Sequence, residues 1–357
     1  MMQIHAVPFS ALGSRHLEAW SRIQGSDSTF DSPFFCPEFS AAVASVRDDV
    51  CVGVMEQEGT IVGLFPFQRS AWGEATPVAG EISQFHGVII DSTIGWSADE
   101  LLRSCNLSSW VFSHLPLTQL PFQQHYQCVG ESPCIDLTNG FDEYCAEKQR
   151  SGKVIEQANR KARKLEREVG PLRFELHDTS NAAFQCLLAW KSEQHQRTNV
   201  VDAFACDWLV TLLDRIRLTH YDSFAGLVSA LYAGDHLVAV HLGMRSKRVA
   251  HSWYPAYDTA FGKYSPGITL LLKMAEALAD VGVQRIDFAA GQQIYKTRFM
   301  NGAIGVAKGV ADRSRLKACV RRNAGALRER VNATPLAVPM RIPVRMLRRV
   351  GKWWTDQ

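Results

Sequence analysis

The sequence predicts a mixed α/β fold assembled from two related halves. A strand, tight turn, strand unit occurs twice, roughly 175 residues apart, and a strand, helix, strand unit follows its second copy. The composition is that of an ordinary globular chain, with 46% hydrophobic and 21% charged residues among 357. At about 150 residues per domain, that length accommodates two units. The composition excludes collagenous, low-complexity and largely disordered chains.

In chain order, residues 50–56 (VCVGVME), a Glu58-Gly59 turn and residues 61–68 (IVGLFPFQ) make the first hairpin. Gln84, Phe85 and His86 end a strand before Gly87. Residues 141–169 read as one helix. Val154, Ala158, Ala162, Leu165 and Val169 make its apolar stripe, and Gly170-Pro171 ends it. Its other faces carry eight Lys/Arg against five Glu and one Asp. Two readings stay open: a solvated face with intrahelical ion pairs, or a basic rim over a phosphate-bearing ligand. A strand at 172–176 (LRFEL) and a helix over 181–197 follow. Residues 225–232 (AGLVSALY), Gly234-Asp235 and residues 237–244 (LVAVHLGM) repeat the hairpin, with IVGLFPF beside LVAVHLG.

The stretch 248–299 is the most informative. Residues 248–254 form a strand and 255–264 a polar, aromatic loop. Ser265 as N-cap with Pro266 at the first helical position starts a helix. Its apolar side carries Ile268, Leu271, Leu272, Ala275, Leu278 and Ala279, and it stops at Gly282. VQRIDFAAG is the next strand, and a helical crossover makes the two strands parallel. Ligands of such units bind off the carboxyl ends of the strands, where a helix N-terminus presents free N–H groups. A loop of Gly262, Lys263, Tyr264, Ser265 and Gly267 suits a pyrophosphate, although a well-capped helix that binds nothing has the same pattern. Asp287, Tyr295, Lys296 and Arg298 lie beside the same opening. Asp287 is a candidate base and Lys296 a candidate oxyanion or phosphate holder, unless the two simply pair.

Charge and cysteine use narrow the surroundings. The net charge is +3, but residues 308–357 hold thirteen Lys/Arg and three acids, which leaves a mildly acidic body with a basic tail. Nine cysteines form no C-x-x-C pair and read as small apolar residues of a reducing compartment. The start, MMQIHAVPFSALGSRH, does not read as a secretory signal, and no apolar run approaches the roughly 18 residues that span a bilayer. The expected localisation is cytoplasmic. G-x-x-x-x-G-K-[ST], G-x-G-x-x-G after a strand, H-E-x-x-H and G-x-S-x-G are all missing, and eleven histidines lack ligand spacing, so no metal is expected.

The repeated hairpin, the Tyr264-Ser265-Pro266-Gly267 helix start, Asp287-Phe288-Ala289-Ala290-Gly291 and Tyr295-Lys296-Thr297-Arg298-Phe299, in this order, resemble the CelD/BcsL-type acetyltransferases. These belong to the GNAT superfamily and are related to the FemABX peptidoglycan-bridge aminoacyltransferases. The resemblance covers about residues 30–310. It implies tandem GNAT-like halves, each a mixed, mostly antiparallel sheet flanked by helices: an N-terminal half at 1–140, a basic connecting helix at 141–170, and a C-terminal half at 171–312 holding the acyl-CoA cleft. A basic tail at 313–357 follows. The usual pyrophosphate loop, Arg/Gln-x-x-Gly-x-Gly/Ala, is replaced by Gly-Lys-Tyr-Ser-Pro-Gly.

The implied activity is acyl-CoA-dependent N-acylation, with acetyl-CoA or another acyl-CoA as co-substrate and a small amine, such as an amino sugar, as acceptor in cell-envelope or exopolysaccharide synthesis. Asp287 or His251 would take the amine proton, and Tyr295 or Tyr264 would protonate the thiolate. Lys263, Tyr264, Ser265 and Gly267 would hold the cofactor together with Trp253 and Tyr254. Gln84, His86, His241 and Arg298 would line the acceptor pocket. In the tail, Arg345, Arg348, Arg349 and Lys352 beside Trp353 and Trp354 suggest a peripheral contact with an anionic membrane at its inner face, against a docked helix or a free end. Nucleic acid is not an expected partner. The alternatives are an aminoacyl-tRNA-dependent transferase and a catalytically silent scaffold of a polysaccharide assembly.

Overall fold

The computed structural model describes residues 2–288 and 294–313. The expected Ala289-Ala290-Gly291 strand end and the basic tail beyond Arg313 lie outside the described residues. In the first half, β1 (Met2–Pro8), α1 (Ser14–Ser26) and α2 (Pro37–Ala44) are followed by β2 (Val50–Gln57), β3 (Thr60–Arg69) and β4 (Glu74–Thr76). The two-residue β5 (Ile89–Ile90), α3 (Ala98–Ser104), β6 (Ser109–Pro116) and β7 (Tyr126–Asp136) complete it. Next come α4 (Gly140–Ser151) and α5 (Val154–Val169). The second half has β8 (Leu172–Glu175), α6 (Asn181–Arg197), α7 (Asp207–Arg217), β9 (Phe224–Ala233), β10 (His236–Ser246) and β11 (Val249–Tyr257). It ends with α8 (Pro266–Asp280), β12 (Arg285–Asp287), α9 (Ile294–Phe299) and β13 (Gly302–Asp312).

These strands form one sheet in the order β1-β2-β3-β4-β6-β13-β7-β12-β11-β10-β9-β8, with β5 on β3. From either edge the pattern is the same. Four strands run antiparallel, the fourth pairs in parallel with the strand after a crossover helix, and an antiparallel strand follows. The last strand of each half is exchanged: β7 pairs with β12, β13 pairs with β6, and the two pair with each other at the centre. Neither half of the sheet is complete without the other. One apolar core accordingly joins Trp20, Phe34 and Phe39 of the first half to Leu212, Ile216 and Met244 of the second.

Both hairpins form where the sequence places them. Glu58 (φ 51°) and Gly59 (φ 75°) take the left-handed conformations that a two-residue turn between right-twisted strands requires, and Gly234 (φ 56°) serves the second. The single helix expected over 141–169 is two helices, because the chain leaves helical geometry at Gly152, the costliest non-proline residue in a helix. The apolar stripe of α5 still faces the body, with Ile155, Ala158 and Leu165 buried. Gln84–His86 is loop and not a strand end: the side chain of His86 and not its backbone accepts from β6, as described below, and Phe85 O accepts from Ser83 Oγ. All eight described cysteines are free thiols; Cys36, Cys105 and Cys134 are buried, while Cys128 and Cys206 are exposed. Among the described residues no helix is long and apolar enough to cross a membrane.

Candidate active site

The site begins where two parallel strands part. β11 and β12 pair only from Val249–Arg285 to His251–Asp287. Beyond His251, β11 bulges: Gly243 of β10 faces Ser252 while Leu242 faces Tyr254, leaving Trp253 as the extra residue. After Asp287 the chain turns away, with the Phe288 N–H donating to Pro133 O at 3.0 Å. Gly243 permits this close approach, since a Cβ there would stand 2.4 Å from His251 O and 2.5 Å from His241 Cε1. The backbone of β11 is thus open on its β12 side, directly before α8.

A cleft of about 810 Å³ occupies this opening. At one end it meets the start of α8 at Ser265, Gly267 and Ile268. It then follows Trp253, Tyr254 and Pro255 of β11 to Phe288, Tyr295 and Lys296, and its far wall is Ile82 and Gln84 of the first half. Helix α6 contributes Trp190, Lys191, Gln194 and Arg197. Eight of the expected site residues therefore share one cleft: Trp253, Tyr254, Ser265, Gly267, Tyr295, Lys296, Gln84 and His241.

The others lie elsewhere, each for a physical reason. Asp287 is fully buried, and its carboxylate accepts from Arg285 Nε (2.8 Å) and Nη2 (3.4 Å), two residues back on the same side of β12. The expected alternative partner, Lys296, is not the one paired with it. His251 is 1% exposed and packs edge-on against Phe34 at 4.9 Å between ring centroids, behind the cleft wall. Lys263 is exposed and sits 4.7 Å over the Tyr264 ring, with its ammonium 3.9 Å from Glu168. Tyr264 is buried and its O–H donates to the same Glu168 at 2.8 Å. Arg298 is exposed on α9. His86 belongs to the first half. Ser265 is not a side-chain cap either: it takes φ 54°, ψ 53°, and its Oγ accepts from Lys161 Nζ of α5 at 2.8 Å.

Burial shifts the groups along the cleft. Desolvation lowers the Lys296 and Lys191 ammonium groups to about 8 and raises the Tyr295 phenol to about 12. His241 falls to about 3, first by burial and then by the Lys191 charge, so its imidazole is neutral. Neither ring nitrogen of His241 has a hydrogen-bond partner among the described residues, and neither does Gln84 Oε1. No group of three or more His, Cys, Asp or Glu among the described residues is placed to hold a metal.

The corresponding gap in the first half is closed by its own chain. β6 pairs with β4 only at Ser109 and Trp110. Past that point the N–H groups of Ser113 and His114 donate to His86 Nε2 at 3.1 and 3.2 Å. Gln119 then clamps Val88, accepting its N–H at 2.9 Å and donating to its carbonyl at 2.7 Å. The His86 ring is buried and held neutral, well below the ordinary histidine range.

The contribution of α6 is absent from the sequence reading, which treats 181–197 only as a helix. The signal was present: Trp190, Lys191, Gln194 and Arg197 recur at helical spacing and share one face.

Residues 152–297 match a protein family described as an acetyltransferase (GNAT) domain. No curated protein matches the chain. Among solved structures, FemX superposes with a TM-score of 0.59 at 9% identity, covering 85% of this chain and 97% of its own. The C-terminal (DUF2156) domain of a putative lysylphosphatidylglycerol synthetase from Agrobacterium fabrum superposes at 0.51 and 13% identity, covering 90% and 99%. At these identities the likeness is one of fold.

Proposed function

We propose that this chain, a GNAT-superfamily acyltransferase whose GNAT acetyltransferase domain spans residues 152–297, binds acyl-CoA in the cleft of its second half and acylates an amine that enters between the halves. The observation that carries this reading is the coincidence of the strand opening, the start of α8 and Lys296 along one cleft. The residues present fit such a co-substrate. Pro266 has no N–H and the Ile268 and Thr269 N–H groups donate to Ser265 O, which leaves the Gly267 N–H at the start of α8 for a pyrophosphate, with Lys161 2.8 Å from Ser265 Oγ. The open edge of β11 offers backbone partners to an amide-bearing arm. When bound, the thioester supplies an activated carbonyl and a thiol leaving group.

This chain's own residues then divide the work. Tyr295 keeps its proton at neutral pH, because burial holds the phenol at about 12, and can donate it toward the leaving sulfur, while the amine nitrogen, on forming the new C–N bond, releases the proton that restores the phenol. Lys296, with an ammonium lowered to about 8, supplies a cation for charge developing on the carbonyl oxygen. Trp253, Tyr254 and Trp190 offer aromatic faces to the acceptor. These suit a sugar ring, so an amino sugar is the first acceptor to test and acetyl the first acyl group. The assignment to cell-envelope or exopolysaccharide synthesis rests on the resemblance to the CelD/BcsL-type enzymes.

Calorimetric titration with acetyl-CoA tests the reading. A Cβ at Gly267 would stand 3.7 Å from the Tyr257 ring, so Gly267→Trp fills the α8 end of the cleft. Wild type should bind and the variant should bind about tenfold weaker or worse, a loss of about 1.4 kcal/mol or more. Equal binding by both, or none by wild type, overturns the assignment.

A further inference from the structure

The inner end of the cleft is chemically one-sided. Lys191 of α6 and His241 of β10 line it together, close enough for the Lys191 charge to act on the imidazole, and Gln84 of the first half lines the same cleft. His241 is 3% exposed, with both ring nitrogens unpartnered among the described residues, and Gln84 Oε1 is buried in the same condition. The Lys191 ammonium donates to Gln194 Oε1 at 3.1 Å, which solvates it without neutralising it. Of the carboxylates that line the cleft, Glu81 and Glu193 are exposed, and Asp258 accepts the Ala260 N–H at 2.8 Å. Buried donors and acceptors without partners are costly to a folded chain, and a ligand that satisfies them recovers that cost.

We propose that this inner end is a subsite for an anionic group, carboxylate or phosphate, on the acceptor: the Lys191 ammonium and a His241 N–H hold the anion, and Gln84 Oε1 takes an N–H or O–H of the same molecule. A neutral imidazole has one N–H to give, and an ammonium in a partly desolvated wall gains most from an anion. The acceptor is then an amine that carries its own acid group, and Lys191 selects for it. The inference rests on the acyltransferase reading above only in taking the ligand to be the acceptor.

The test is calorimetric titration of enzyme saturated with coenzyme A, using glucosamine, glucosamine 6-phosphate and muramic acid, which share an amine and differ in bearing no anion, a phosphate or a carboxylate. At least one anionic probe should bind about tenfold or more tighter than glucosamine. Which of them gains distinguishes phosphate from carboxylate. Lys191→Met should abolish that advantage and leave coenzyme A binding unchanged. No advantage for either anionic probe in wild type, whether all three bind alike or none binds, overturns the subsite, as does an advantage that survives in Lys191→Met. Failure to bind coenzyme A in the first titration instead overturns the acyl-CoA reading.

Discussion

Asp287→Asn separates chemistry from architecture at a residue that invites a catalytic role. The carboxylate is fully buried and holds both Nε and Nη2 of Arg285, whose own side chain is 22% exposed. Removing one partner of a buried pair costs about 3–5 kcal/mol, because the other charge is left uncompensated. The partial exposure of Arg285 places the cost near 3 kcal/mol, since water relieves some of the orphaned charge. At about 2 °C per kcal/mol for a chain of this size, the melting temperature should fall by roughly 6 °C. Turnover measured well below that melting temperature should stay within about threefold of wild type, since Asp287 does not line the cleft. Calorimetric melting and acetyl-transfer rates on the same preparation give both numbers. An unchanged melting temperature with turnover down by two orders of magnitude would refute the structural role and return Asp287 to the mechanism.

Further outcomes follow from the same geometry. With Lys296 acting as a cation lowered to about 8, kcat/KM should fall as pH rises through about 8. Lys296→Met should lower turnover at least tenfold, about 1.4 kcal/mol, and lose that alkaline limb, whereas an unchanged profile would remove Lys296 from the reaction. Gly243→Ala drives a methyl to 2.4 Å from His251 O and should destabilise the fold by about 1–3 kcal/mol, read as a lower denaturant midpoint; a neutral effect would mean that the bulge is not held as described. His86, His241 and His251 are buried and His114 is half-buried, and all four are held below the ordinary histidine range. The unfolded chain takes up protons at these sites below about pH 6.5 while the folded chain does not, so stability is lost as pH falls. The slope is up to about 1.4 kcal/mol per pH unit for each histidine. Urea midpoints from pH 7 to 5 should drop steeply, and a flat profile would contradict the burial of these rings.

What could be read from the sequence was local. The two hairpins announce themselves through alternation and the turn residues Glu58-Gly59 and Gly234, and α8 through Pro266 at its start and Gly282 at its end. The exchange of β7 and β13 was not legible, because it joins residues some 170 apart and leaves each strand's own pattern unchanged. The candidate cleft was half legible. Residues on β11 and α9 followed from the crossover unit. Lys263 and Tyr264 did not end up beside Gly267, because the turn before α8 aims both at Glu168 of α5. Arg285 and Asp287, two apart on one strand, share a face by the period of β-structure, so their pairing is legible in the sequence. Lys191 escaped because a polar residue on a helix reads as solvent-facing until its neighbours are known.

The symmetric sheet holds one open cleft and one closed one, and amide hydrogen exchange with and without acetyl-CoA tests directly that only the open one takes ligand. Protection should appear over 252–257 and 265–270, where β11 is open and α8 begins, and should be absent over 86–90 and 109–116, where His86 and Gln119 already occupy the gap. Protection centred on the first-half segments, or none anywhere, would contradict it.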